Sequence, residues 1–232
     1  MQLPPLIPAT LVQRYKRFLA DCRLDSGEIV TAHVANSGSM LGLATPGMRV
    51  LLSRSDDPKR KLSHSWELVE AHGGLVNVNT ARPNAIATEA IALGHIPTLA
   101  GYASLAREVK YGVNSRIDIR LDDPQRGRAF VEVKSVTLAR ADRLAEFPDA
   151  VTARGAKHLS ELTNEVAAGH RAVMLYLVQI PDAAGFAIAR DIDAAYGLAF
   201  DAATAAGVEA IACLCRISPA EITVSGTVPL VP

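Results

Sequence analysis

Ser115-Arg116-Ile117-Asp118-Ile119 and, eleven residues further on, Phe130-Val131-Glu132-Val133-Lys134-Ser135 decide the reading of the C-terminal half. Side chains alternate between the two faces of a strand. Ile117, Ile119 and Leu121 are therefore expected on one face, with Arg116, Asp118 and Arg120 on the other. In the second strand Val131 and Val133 face the core, while Glu132 and Lys134 share the opposite face. A hairpin across residues 122–128 brings Asp118 beside Glu132 and Lys134. Two adjacent carboxylates suit a hard cation such as Mg²⁺. A lysine two residues along can orient or help deprotonate a metal-bound water, and the metal would polarise a phosphodiester and supply hydroxide near neutral pH. The same residue types also make solvated cross-strand ion pairs, so both readings stand on the motif alone.

The surrounding segments place this hairpin in an order of elements. A helix is expected over residues 83–93, capped by Thr80 and closed by Gly94. Strands follow at 105–111, 116–121 and 129–136. A long amphipathic helix covers 151–168, with Leu159, Leu162 and Val166 on one face and Gly169 as its stop. Residues 173–180 form an almost continuous apolar run, as in a strand buried on both faces. A helix near 192–206 and a strand near 208–217 complete the series.

Before residue 80 the pattern differs. Strand-like segments at 14–24, 28–35, 48–54, 65–70 and 75–79 alternate with turn signals such as Asp25-Ser26-Gly27, Pro46-Gly47 and Gly73-Gly74. About five short strands in this length fit a five-stranded OB-like barrel. The expected class is α+β: an OB-like β-barrel over residues 1–81, then an α/β domain with a mixed central sheet over 82–232. Between Arg14 and Arg82 the barrel half carries ten basic and seven acidic residues, a mildly positive balance. Arg14, Lys16 and Arg17 interleave with Tyr15 and Phe18, combining charge with rings on which bases stack. Lys59, Arg60 and Lys61 form a concentrated basic loop that is either a solvated turn or a phosphate contact. Asn36-Ser37-Gly38-Ser39-Met40 lacks the Gly-Lys-Ser/Thr ending of a phosphate-cradling loop; it reads as a turn joining barrel strands, with a backbone contact to phosphate as the alternative.

Of the 232 residues 49% are hydrophobic and 21% charged, enough apolar content for a real core. The 24 Lys and Arg balance the 24 Asp and Glu, which excludes a protein that coats nucleic acid by bulk charge but not one with a local basic groove. The N-terminal residues lack the apolar core of a signal peptide, and no apolar run approaches the roughly 20 residues of a membrane-spanning helix. Cys22, Cys213 and Cys215 have no zinc-like spacing. The expectation is a cytoplasmic protein without a membrane partner.

Asp118 and Glu132-x-Lys134, within a helix–strand–strand–strand–helix–strand order, resemble the core of the PD-(D/E)xK nuclease superfamily. A closer likeness runs through Arg14-Tyr15-Lys16-Arg17-Phe18, His33-Val34-Ala35-Asn36-Ser37-Gly38-Ser39-Met40, Pro58-Lys59-Arg60-Lys61-Leu62, Trp66-Glu67-Leu68-Val69-Glu70, Glu108-Val109-Lys110-Tyr111-Gly112, Val131 to Thr137 and Phe147-Pro148-Asp149-Ala150-Val151-Thr152. Over nearly the whole chain it is similar to the sugar fermentation stimulation protein A family. The resemblance implies a DNA-binding protein connected with regulation of sugar (maltose) metabolism, with an OB-like N-terminal part and a nuclease-like C-terminal part. It makes Asp118 and Glu132 metal ligands, the carbonyl of Val133 a third, and Lys134 the water-positioning residue. Glu89 matches the acidic residue that many superfamily members use to hold metal-bound waters. Lys157, His158 and Gln179 would line the same cleft. Each of these four also has a plainer reading: Glu89 as helix surface, Lys157 as the i,i+4 partner of Glu161, His158 as a structural histidine, Gln179 as a strand residue bonded to backbone. Ile180 departs from the pattern, standing where a basic residue is usual.

Three functions follow as expectations. One is a DNA-binding protein with a Mg²⁺- or Mn²⁺-dependent nuclease site. The next is a non-catalytic DNA-binding regulator on a nuclease-like scaffold; with no helix-turn-helix evident, binding is expected to be weakly sequence-selective and salt-dependent. The third is a sugar- or sugar-phosphate-responsive protein, for which the low aromatic content offers no positive sign. A homodimer would suit a DNA binder if the apolar segment 208–217 formed a sheet edge.

Overall fold

The computed structural model describes residues 1–112 and 115–231. The first part is built from β1 (Leu6–Tyr15), β2 (Leu19–Leu24), β3 (Ile29–His33), β4 (Arg49–Arg54), β5 (His64–Ala71) and β6 (Gly74–Asn77). The strands run in the order β3-β2-β1-β4-β5, and pairing of Ala32 with His64 and His33 with Ser65 joins β3 to β5. That contact closes a five-stranded barrel, and β6 folds back on β5 as a hairpin. The fold is the expected OB domain. Residues 14–24, however, are not one strand. Lys16 and Arg17 take positive φ of 48° and 62°, and the chain reverses between β1 and β2. The barrel interior is apolar, with Leu11, Leu52 and Trp66 fully buried. Trp66 keeps its indole N–H paired, donating to the carbonyl of Leu68 at 2.9 Å, as a buried tryptophan requires.

The second part begins with α1 (Pro83–Ala92), followed by β7 (Ser104–Tyr111), β8 (Ser115–Asp123), β9 (Gly127–Val136), β10 (Leu138–Ala141) and β11 (Leu144–Phe147). Then come α2 (Ala153–Ala167), β12 (Arg171–Val178), β13 (Gly185–Ile188), α3 (Ala194–Ala205), β14 (Glu209–Ile217) and β15 (Ile222–Thr227). The main sheet has the order β15-β14-β12-β9-β8-β7. β7, β8 and β9 form an antiparallel meander, and β12 lies parallel to both β9 and β14. The sheet is therefore mixed, as expected. α1 covers one face with Ile86 and Ile91 packed on Val131, Val133 and Leu175. α2 covers the other, with Leu159 and Leu162 in the same cluster as Phe130, Met174 and Tyr176. A small sheet, β10-β11-β13, lies outside these layers and carries the chain into α2; its three strands of four residues are too short to show a period in the sequence.

Three local expectations differ. Thr80 does not cap α1: Arg82 occupies the N-cap without a side-chain cap bond, and the Thr80 hydroxyl donates to the carbonyl of Ala35. Pro83 at the first helical position supplies the start signal instead. The segment expected at a sheet edge is internal, because β14 is flanked by β12 and β15, so it offers no edge for a homodimer. Residues 1–3, assigned with the barrel, lie against the second part, where Leu3 N–H donates to the carbonyl of Ala220 and Gln2 bridges Glu221.

The two parts are joined by specific polar contacts. Asn36 Oδ1 accepts the N–H of Gly38, and the loop they form is held by Arg14, which donates to the carbonyls of Arg17, Asn36, Gly38 and Ser39. Ser39 Oγ then donates to Asp149 ahead of α2. Gly38 is needed here, since a Cβ would stand 2.9 Å from Asp149 Oδ2. The Asn36–Met40 stretch is thus a turn, and it ties the barrel to the second part.

Candidate metal centre

β8 and β9 pair from Asp123 opposite Gly127 as far as Ile119 opposite Val131. Beyond that point they part, and Asp118 fills the gap: its Oδ2 accepts the N–H of Val133 at 2.8 Å. The alternation along β8 breaks here as well. Ile117 packs in the cluster under α2, whereas Ile119 and Leu121 pack in the cluster under α1. The expected single face for all three is therefore corrected, because a side chain captured by the neighbouring strand's backbone ends the regular ladder. Since N–H and C=O of one strand residue point to the same side, the Val133 carbonyl is directed toward this gap too.

The other oxygen of Asp118 accepts from Asn84 Nδ2 at 2.7 Å, and the same amide donates to Glu108 Oε1 at 3.0 Å. One side chain in the first turn of α1 thus orients two carboxylates. Burial, then repulsion from Glu132, hold the Asp118 carboxyl above its ordinary range, against the hydrogen bonds from Val133 and Asn84 and the charge of Lys134.

Glu132 is 2% exposed. Its Oε1 accepts from Lys134 Nζ at 2.7 Å and is in short contact with His158 Nδ1. Arg154 Nε donates to His158 Nε2 at 3.3 Å, and Lys134 Nζ stands 3.3 Å from His158 Nδ1, so the imidazole is held between Glu132, Lys134 and Arg154. Burial opposes the Glu132 charge, but the His158 hydrogen bond and the Lys134 charge outweigh it and keep the carboxyl below its ordinary range. The second oxygen, Oε2, is buried with no partner among the described residues. A buried carboxylate oxygen without a donor, on a residue whose charge repels Asp118, is a ligand of the type a divalent cation takes.

The site thus gathers Asp118, Glu132, Val133, Lys134 and His158. It does not gather the other three expected residues. Glu89 lies five residues after Asn84, about 140° around the helix, and its carboxylate pairs with the N-terminal ammonium of Met1 at 2.6 Å. Lys157 is exposed and stands 3.6 Å from Glu161, its i,i+4 partner. Gln179 is fully buried, but Met174 is the β12 residue level with Glu132; Gln179 is five residues further, roughly 16 Å along the strand. Ile180 is buried as well, so this position offers no phosphate contact. Asn84, Glu108, Tyr111, Arg154 and Glu161 were not singled out from the sequence for this site. Only Glu108 and Tyr111 carried a signal, as part of the Glu108–Gly112 motif.

Of the basic residues on the barrel, Arg14 is committed to loop carbonyls and is partly desolvated, which lowers its pKa. Its guanidinium is thus engaged within the fold. Lys16 and Arg17 are exposed in the β1–β2 turn beside Phe18, and Lys59, Arg60 and Lys61 in the loop between β4 and β5. Arg60 Nη2 also donates to Ser65. Among the described residues no helix is long and apolar enough to cross a membrane.

Residues 12–78 match the SfsA N-terminal OB domain and residues 81–221 match the sugar fermentation stimulation protein RE domain. A sugar fermentation stimulation protein homolog of Azorhizobium caulinodans is 60% identical, covering 99% of both chains. One from Rhodospirillum centenum is 61% identical with the same coverage. The solved structure of Pyrococcus furiosus SfsA in complex with Ca²⁺ superposes with a TM-score of 0.90 at 25% identity, covering 100% of this chain and 98% of that one. The chain belongs to the sugar fermentation stimulation protein family.

Proposed function

We propose that this protein is a divalent-metal-dependent phosphodiesterase that acts on DNA. The observation that carries the proposal is the buried, unpartnered Oε2 of Glu132 beside the charge-repelled carboxylate of Asp118. Asp118, Glu132 and the Val133 carbonyl would hold Mg²⁺ or Mn²⁺, and the Ca²⁺ complex of the Pyrococcus furiosus relative supports a divalent ion in this fold. Such an ion, when bound, activates water and polarises a phosphodiester.

The chain's own residues do the rest. Asn84 fixes Asp118, and His158 fixes Glu132 through Nδ1. Lys134, largely buried against Glu132, places a positive charge where an attacking water or a phosphoryl oxygen has to be oriented. Lys16, Arg17 and the 59–61 loop supply sequence-independent phosphate contacts, which gives weakly selective, salt-dependent binding. The name shared by the relatives links this activity to sugar fermentation, and the cytoplasm is its proposed compartment.

The test is calorimetric titration of Mn²⁺ into wild type, Asp118→Asn and Glu132→Gln, with a nicking assay on plasmid and single-stranded DNA. Binding and nicking by wild type, both lost in the variants while DNA affinity persists, is the expected result. Cleavage retained in both variants overturns the site assignment. Metal binding without cleavage on either substrate overturns the catalytic reading and leaves a DNA-binding regulator on a nuclease-like scaffold.

A further inference from the structure

Positive charge gathers without a counter-charge where β7 ends and β8 begins. Lys110 and Arg116 stand directly opposite one another in the β7–β8 ladder, with Cα atoms about 4.5–5.5 Å apart. Both are exposed. Like charges paired across two strands destabilise a sheet. At the other end of the meander such charge is neutralised, because Arg120 of β8 and Arg128 of β9 both pair with Asp122, at 2.8 and 2.9 Å. Lys110 and Arg116 form no ion pair with a carboxylate among the described residues.

Val109, Tyr111 and Ile117 pack in the cluster under α2, so strand alternation turns Lys110 and Arg116 to the opposite side. From that side Asn84 of α1 reaches Asp118. The carboxylates closest along the chain are already engaged: Asp118 accepts from Asn84 and from the N–H of Val133, and Glu108 accepts from Asn84. A cleft of about 430 Å³ opens at this end of the hairpin, lined by Lys110, Tyr111, Gly112, Ser115 and Arg116. Its lining holds two cations and no carboxylate. Glu161 lies behind Ser115, 7% exposed, with Lys157 3.6 Å from it. The Ser115 hydroxyl donates to Glu161 at 2.7 Å, which ties the wall of the cleft to α2, the helix that carries His158.

We propose that this cleft binds a backbone phosphate of the DNA strand, next along the strand from the phosphate at the Asp118–Glu132 centre. Arg116 is two residues from Asp118 on β8, about 7 Å, a reach on the scale of one nucleotide. The planar guanidinium takes two phosphate oxygens side by side, and the Lys110 ammonium adds a point charge to the same group. The phosphate also relieves the repulsion between the two cations. Such a contact fixes the strand's position relative to the metal centre and reads no sequence. The inference rests on the phosphodiesterase reading above and assigns where the strand lies.

Fluorescence anisotropy of a labelled DNA duplex in chelator, over a range of salt, tests it, alongside Mn²⁺ calorimetry and plasmid nicking. In the double variant Lys110→Gln, Arg116→Gln, affinity is expected to fall about tenfold or more. The slope of log K against log salt should fall by about 0.9, the value of one phosphate. Arg116→Lys keeps the charge and loses the fork, so it should weaken binding with little change of slope. The double variant should bind Mn²⁺ as wild type does and melt no lower, since it removes a repulsion. A lower melting temperature shows that the pair serves the fold and overturns the proposal. Unchanged affinity and slope, with nicking by wild type, overturn the cleft and leave the phosphodiesterase standing. A loss confined to duplexes bearing a 5′-phosphate also overturns it, because a terminal group then occupies the cleft. Lost affinity in the double variant without nicking by wild type supports the cleft and removes the catalytic reading. No DNA binding by wild type overturns both.

Discussion

Glu67 is the buried charge on which the junction of the two parts depends, and replacing it by Gln should be costly. The carboxylate is 2% exposed on β5. It accepts from Ser53 Oγ at 2.7 Å, Asn79 Nδ2 at 2.7 Å, and Arg82 through Nε and Nη2, both at 2.9 Å. Glutamine has an amide in place of one oxygen, so at least one donor then faces another donor, and Arg82 loses its counter-charge. Removing one partner of a buried ion pair costs about 3–5 kcal/mol. Arg82 retains 22% exposure, so water recovers part of that, and roughly 2–4 kcal/mol is the expected loss. For a chain of this length 1 kcal/mol moves Tm by about 2–4 °C, which gives a fall of about 4–16 °C. Thermal melts followed by circular dichroism at pH 7 measure it. Burial alone would raise the Glu67 pKa, but the hydrogen bonds from Arg82, Ser53 and Asn79 bring it below the ordinary carboxylate range. Its stabilising contribution is thus whole above the unfolded value of about 4.3 and is lost as pH falls through the lower folded value. Wild-type and Glu67→Gln melts should converge in acid. A shift below about 2 °C at pH 7, or a gap that stays constant as pH falls, would refute the reasoning.

Two further outcomes are expected. Asp118 has a folded pKa above its unfolded one, so its stabilising contribution is present below the unfolded value and is lost as pH rises through the folded one; in chelator at pH 7, Asp118→Asn should melt above wild type and show no Mn²⁺-induced rise. Charge reversal of Lys59, Arg60 and Lys61 together should lower DNA affinity and reduce the slope of log K against log salt by about 2–3, at roughly 0.9 per phosphate contact. Unchanged DNA affinity in that variant removes the loop from the DNA-binding surface.

The barrel and the sheet were legible because their signals are local. Turn dipeptides every ten residues or so mark a small closed barrel, and the all-buried β12 run from Val173 to Val178 marks a strand covered on both faces. The β1–β2 reversal was hidden because Lys16 and Arg17 adopt left-handed backbone that their side chains do not advertise. The β10-β11-β13 sheet was hidden because four residues carry no measurable period. The loop-holding role of Arg14 was hidden for a related reason: its charge is visible in the sequence, but the loop carbonyls that accept from its guanidinium are brought to it only by barrel closure.

At the candidate centre, Asp118, Glu132 and Lys134 were legible because strand alternation carries their proximity directly. The helix contributions were not, because a helix places residues by rotation as well as by spacing. Glu89 and Asn84 are on the same helix, and only its docking angle decides which of them meets β8. That angle is set by the apolar face of α1, with Ile86 and Ile91 against Val131 and Val133; it turns Asn84 onto Asp118 and leaves Glu89 to the N-terminal ammonium. An amide in that position has a consequence that a carboxylate would not have. A third carboxylate would add to the repulsion that already raises Asp118, whereas the Asn84 amide donates to both Asp118 and Glu108 and holds them in place without adding charge. The helix that bears Asn84 starts at Arg82, the partner of Glu67. Barrel, junction and candidate centre are therefore one mechanical chain, from Glu67 through Arg82 and Asn84 to Asp118, and a lesion at Glu67 should weaken Mn²⁺ binding as well as stability.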